Sequence, residues 1–139
     1  MQGDSPRWVD EVLDWHGTGL LARVGLTSAF ILGGLMKLSN FGAAVAEQQH
    51  FGLKPAWLWA AFAIAVEIVG PFLIILRRFV WLGAGALGVL TAIATYVAND
   101  FWNLTGAERF AALNSFFEHI GLIAGLVLVA LVAVREKKT

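Results

Sequence analysis

The residues of this chain that could do chemistry are few, and they lie in unusual places. Glu67 sits inside the apolar run 55–76, within the segment Val66-Glu67-Ile68-Val69-Gly70-Pro71. Four residues on, Pro71 has no N–H to give to the carbonyl of residue i−4, which is Glu67 itself. One helical turn would then hold an ionisable side chain and a freed carbonyl. An acid at such a position marks a functional site or a strut that sets helix register, and both readings stand. Glu118 and His119 place an acid beside an imidazole, a pair able to bind or shuttle a proton near neutral pH. The plainer reading is an interfacial helix turn whose dipole favours Glu. Asn114 and Ser115 lie one turn away from them. Arg23 and Lys37 are the cations of the first apolar run, and Trp102 stands in a polar and aromatic loop. The expected partners are Arg23 for Glu67 and Lys37 for Glu118. His16 and His50 read as boundary residues, so only His119 is well placed for a bis-histidine haem, which needs two.

These groups need a frame, and composition says which kind. Of 139 residues, 58% are hydrophobic and 14% charged, with a mean hydropathy of +0.72. Soluble domains run at about 45–50% apolar and about 25% charged. The sequence therefore predicts an all-α integral membrane protein, a single domain over 1–139. Net charge is zero and no basic tract points to nucleic acid. The chain has no cysteine, which excludes disulfides, thiol redox chemistry and thiolate-held clusters. Its acidic start (Asp4, Asp10, Glu11, Asp14) is unlike a signal peptide.

Four apolar runs, near 20–38, 55–76, 79–98 and 111–134, are each close to the ~20 residues that cross a bilayer. They predict an antiparallel four-helix bundle. Before them, residues 1–17 form an interfacial segment. Ser5 is expected to cap a short amphipathic helix with Pro6 at its first position, and Trp8, Val12 and Trp15 share one face. Arg7, Arg23, Arg77, Arg78, Arg135, Lys137 and Lys138 fall on one side, against Lys37, Lys54 and Arg109 on the other, which predicts both termini in the cytoplasm. Trp8, Trp15 and Trp81 would belt that side, and Trp57, Trp59 and Trp102 the other.

Each run offers an inward stripe. Arg23, Thr27, Phe30, Gly34 and Lys37 share a face of the first span, and Ala60, Ala63, Glu67, Gly70 or Pro71, and Ile74 share one of the second. Ala84, Gly88, Thr91 and Thr95 are expected inside from the third, and Glu118, Gly121 and Gly125 from the fourth. Small residues at these spacings let helices approach closely in membranes. Gly70 and Pro71 are the expected kink. The loop 39–54 allows a short interfacial or re-entrant helix from Phe41 to Phe51, ended by Gly52 and Pro55.

In order along the chain come Arg23, then Gly33-Gly34-Leu35-Met36-Lys37-Leu38, the Glu67–Pro71 segment and Arg77-Arg78. Asn99-Asp100-Phe101-Trp102-Asn103-Leu104-Thr105-Gly106 and Asn114-Ser115-Phe116-Phe117-Glu118-His119 follow. From Leu20 to Val134 this pattern resembles the DoxX family of small four-helix bacterial membrane proteins. Many members read Lys-Asn where this chain has Glu118-His119, which changes the charge there. The resemblance implies residence in a bacterial inner membrane and a membrane subunit tied to an oxidoreductase or respiratory-type assembly. On that reading the chain binds a quinone or a lipid, and Lys37, Glu118 and His119 hydrogen-bond a quinone carbonyl with Phe101 and Trp102 over the ring. The chain carries no redox cofactor motif, so electrons would come from a partner or second substrate. The alternatives are a non-catalytic accessory subunit, packed on other membrane subunits or on copies of itself, and a small proton or solute pathway centred on Glu67.

Overall fold

The computed structural model describes residues 4–138 and is helical throughout its length apart from short connections. Helix α1 spans Arg7–Asp14, α2 His16–Ser39, α3 Phe41–His50, α4 Ala56–Ile75, α5 Val80–Ala98 and α6 Gly106–Lys138. A single 3-10 turn, Phe101–Asn103, lies between α5 and α6. Helices α2, α4 and α6 are long and apolar enough to cross a membrane, as is the α5 segment. They are the four expected spans, and they pack as a bundle in chain order, α2 on α4, α4 on α5 and α5 on α6, with α6 touching α2 only lightly. Helix α1, the last turns of α6 and the 76–79 turn lie at one end of the bundle, here the termini end. The α3 and 3-10 connections lie at the other, the loop end.

The N-terminal helix differs from expectation by one residue. Pro6 is its N-cap rather than its first helical residue, and the Ser5 hydroxyl donates to the Asp10 carboxylate instead of capping backbone N–H groups. Extended backbone at Trp15 alone separates α1 from α2. The expected short helix of the first loop is α3, whose first turn is capped by Asn40 accepting from the Ala43 N–H at 3.1 Å. It lies against α4 and α2 and ends before Gly52, which adopts a φ of +74°.

Close approach, not bulky interdigitation, joins α4 to α5. A Cβ on Gly83 would stand 2.7 Å from the Gly70 carbonyl oxygen, and one on Gly70 2.9 Å from Leu87 Cγ. Only glycine lets these backbones come so near. Below this contact Phe30, Ile74, Val80, Ala84, Leu87 and Leu126 form the core, drawn from all four spans. Helix α4 continues through Pro71 to Ile75, and both Gly70 and Pro71 are buried. It then closes in a Schellman arrangement: Arg78 N–H donates to Leu73 O at 3.0 Å and Arg77 N–H to Ile74 O at 3.2 Å. Arg77 takes the left-handed position (φ 59°) where glycine is usual, and Phe79 takes a second (φ 52°).

The inward stripes hold for the first two spans: Thr27, Phe30 and Gly34 are buried on α2, and Ala60, Ala63, Glu67, Gly70 and Ile74 on α4. On α5, Ala84, Thr91 and Thr95 are buried as expected, whereas Gly88 is only half-buried and Leu87 takes the inner position. On α6 the expected face is wrong. Glu118 and Gly121 are exposed, and the helix buries Ala112 and Leu126 instead. Larger apolar side chains won that choice: Leu122, Leu126 and Val129 pack on the core where small residues would have left voids.

Candidate functional site

Antiparallel packing of α2 on α4 decides what Glu67 meets. Gly34 lies against the α4 backbone there, since a Cβ on it would be 3.1 Å from Glu67 Cβ and 2.9 Å from Ile68 Cγ1. Lys37 stands one turn further toward the loop end, and its long side chain reaches back. Its Nζ lies 3.0 Å from both Glu67 oxygens, a charge-assisted bidentate pair. Gly33 leaves room beside it, for a Cβ there would come within 3.1 Å of Glu67 Oε2 and 3.7 Å of Lys37 Nζ.

The expected Arg23–Glu67 and Lys37–Glu118 pairs are therefore both replaced by Lys37–Glu67. Arg23 precedes Gly34 by eleven residues, about 16 Å along the helix axis, too far even for an arginine. Its Nε is buried and has no hydrogen-bond partner among the described residues. Glu118 points outward from α6, as does Asn114.

The ion pair is not sealed. Glu67 is about 16 Å from the start of α4, near mid-span. Yet the side chains keep 20% and 12% of their exposure for Lys37 and Glu67. They open onto a cavity of about 110 Å³ toward the loop end. Trp59 and Ala63 of α4 continue the Glu67 stripe along one wall, and Leu90, Ile93, Ala94 and Val97 of α5 form another. Glu47 and Gln48 of α3, with Phe51, form the rim and roof. An apolar cavity of about 150 Å³ holds a benzene ring, so this one, at about 110 Å³, takes the edge of a ring or a smaller head group. The result is an apolar chamber with one cation, Lys37, and two carboxylates, Glu47 and Glu67, at its edges. The α3 and α5 residues were not foreseen. Trp59 and Ala63 were visible as the i−8 and i−4 neighbours of Glu67, but which flank of α5 would face them depends on how the helices rotate.

His119 belongs to a different place. Its Nδ1 lies 2.8 Å from Thr95 Oγ1 and 3.1 Å from the Asn99 side-chain amide, across the α5–α6 contact. Thr95 and Thr91 hydroxyls also donate down α5, to Thr91 O at 2.6 Å and Leu87 O at 2.7 Å. Nδ1 is thus engaged, and Nε2 makes no bond to the described residues. Trp102 is exposed and packs in an aromatic cluster with Tyr96, Phe101 and Phe116 at centroid distances of 5.9, 5.3 and 6.3 Å. The structure therefore does not gather Lys37, Glu118, His119 and Trp102 around one ligand. Lys37 and Glu67 form one centre and His119 another, while Glu118, Asn114 and Trp102 line neither.

Four apolar helices around a mid-span ion pair define an integral, multi-pass membrane protein. The sequence profile described as DoxX matches residues 19–100, more than half of the chain, and the chain belongs to the DoxX family. It is also similar to the inner membrane protein YphA of Escherichia coli (strain K12), with 23% identity over 112 residues, covering 81% of this chain and 80% of that protein. That match and the four spans together make this a multi-pass inner membrane protein. No solved structure matches the chain.

Proposed function

We propose that this chain is a membrane subunit of an oxidoreductase or respiratory-type assembly, and that it binds a quinone-type ligand in the cavity beside Lys37 and Glu67. One observation carries the reading: a charged pair near mid-span opens onto a small, largely apolar cavity. An ammonium has three N–H donors, and Glu67 occupies two directions of Lys37. The third is available to a ligand carbonyl. Glu67 can accept from a ligand hydroxyl, so the pair can hold either an oxidised or a reduced ring. Trp59 and Phe51 supply aromatic contact, and the α5 flank gives an apolar path from the bilayer. The chain's part is binding and orientation, with electrons exchanged through a partner subunit. On the proposed topology, with both termini cytoplasmic, the cavity lies in the opposite half of the membrane.

Purified protein should carry quinone on solvent extraction, or bind a short-chain quinone added to detergent micelles, read by quenching of tryptophan emission. Lys37→Met with Glu67→Gln, which removes both charges together, should weaken that binding about ten- to a hundredfold. Protein that neither carries nor binds a quinone ends the proposal.

A second reading, a non-catalytic accessory subunit, is favoured by α6, whose Asn114, Glu118 and Gly121 face outward where α6 barely meets α2. Co-purification of a second membrane protein that is lost with Glu118→Leu would support it. A proton or solute pathway centred on Glu67 has less in its favour, because Lys37 holds both carboxylate oxygens.

A further inference from the structure

The opposite end of the bundle has a second concavity, far from Lys37 and Glu67. A groove of about 760 Å³ opens at the termini end between the α4–α5 turn, the start of α5 and the last turns of α6. Its floor is apolar, with Val80 and Ala133 along it. Its walls carry Arg77, Arg78 and Lys137, with Glu136 the one acid among the described residues. Arg77 and Glu136 pair across the groove, which ties the turn to α6 and cancels their charges. Arg78 and Lys137 make no ion pair or hydrogen bond with the described residues. Two cations with no ion-pair partner among the described residues thus edge a groove that is otherwise apolar, at the level where a membrane's polar boundary must fall. Trp81, 67% exposed on the second residue of α5, stands at the same level. The turn itself is built at a cost in backbone strain. Arg77 and Phe79 both adopt left-handed φ values, which glycine would accept freely. That conformation sets Arg77 toward Glu136 and leaves Arg78 on the rim.

We propose that this groove binds the phosphodiester headgroup of an anionic phospholipid, with the phosphate held by Arg78 and Lys137 and an acyl chain along Val80 and Ala133. Basic pockets between transmembrane helices suit such headgroups, because cations at the boundary meet phosphate while the floor stays in contact with hydrocarbon. A soluble anion would gain nothing from the apolar floor, which is why a lipid rather than free phosphate is the occupant.

Native mass spectrometry of the full chain in mild detergent tests this, with phosphatidylglycerol and phosphatidylcholine of the same acyl chains added in turn. The first phosphatidylglycerol should be retained in preference to phosphatidylcholine. Arg78→Gln or Lys137→Gln should each weaken its retention about fivefold, and the double variant by roughly the product. Arg78→Lys should keep it. Neither side chain has a partner among the described residues to lose, so helical content by circular dichroism should not change. Arg7→Gln, an exposed cation on α1 at the same end, should have no effect. Equal retention of the two lipids overturns the proposal. So does a loss with Arg7→Gln as large as with Arg78→Gln, which would mean diffuse surface attraction. Displacement of the lipid by inorganic phosphate at the same phosphate concentration would also overturn it, assigning the groove to a free anion.

Discussion

Lys37 reaches back one helical turn from near the end of α2 and grips both carboxylate oxygens of Glu67 at 3.0 Å, near the middle of α4. The pair joins the two helices at the level where Gly34 lets their backbones meet. It is both a tie between the two helices and the polar edge of the cavity, so its strength bears on structure and binding together.

The first prediction concerns that strength. Removing one member of a buried pair leaves a bare charge, which costs about 3–5 kcal/mol. The residual exposure of 20% and 12% should bring the cost toward the lower end of that range. Glu67→Leu and Lys37→Met alone should each lower the melting temperature in detergent. The double variant should recover most of the loss. A double variant no more stable than the singles would show that the charges do not act as a pair.

Arg23 should behave differently. It lies about 16 Å along α2 from the residue opposite Glu67. Residues this far apart, with no shared partner, give additive effects within about 0.5 kcal/mol. The cycle Arg23→Gln with Glu67→Gln should show no coupling beyond that, while the Lys37 and Glu67 cycle should exceed it clearly. Coupling at Arg23 as large as at Lys37 would contradict the register of α2 on α4.

The α4–α5 contact gives a test by volume. Gly83→Ala must push a methyl against the Gly70 carbonyl, which would be 2.7 Å away, so backbone has to move. Overpacking of this kind costs about 1–3 kcal/mol. Gly85→Ala, two residues along with open space around it, should be neutral or slightly stabilising, since alanine is the better helix former. Thermal unfolding followed by circular dichroism would rank the two. Equal effects would mean that α5 is rotated from the position described.

His119 separates packing from binding. Hydrogen bonds across membrane helices average about 0.6 kcal/mol, so His119→Leu should destabilise only modestly. Because His119 lies on the α6 side of α5 and does not line the cavity, quinone titration should be unchanged. A loss of binding equal to that of Lys37→Met would move the site to the α5–α6 contact.

Much of the frame was legible because membrane insertion writes it into composition. The four spans appear within a few residues of the apolar runs, since hydrocarbon tolerates neither unpaired backbone nor unplaced charge. Helix α6 is the exception. It runs from Gly106 to Lys138, beyond the apolar stretch at both ends, because polar residues with good helix propensity extend it at little cost. The faces of α2 and α4 were readable too, because charges and small residues on them leave only one inward choice. On α6 the same cue misled. Glycine spacing pointed to Glu118, Gly121 and Gly125, while Leu122 and Leu126 had more apolar area to bury.

The site was legible as residue types and not as a constellation. Glu67, Lys37 and His119 were all singled out, but their grouping was wrong. Sequence places each on a helix face at a certain depth, and depth alone allowed Glu67 to be met from either end. By itself the sequence determined a membrane protein of four spans, with an acid at mid-span that something had to neutralise. Only the tertiary structure decided that Lys37 does so, that α3 roofs the cavity beside it, and that His119 turns to Thr95 instead. The reason is physical. Insertion depends on the content of each segment, whereas pairing depends on the axial offset and rotation between segments, and these are set by contacts such as Gly34 on Glu67 and Gly83 on Gly70 that no one segment contains.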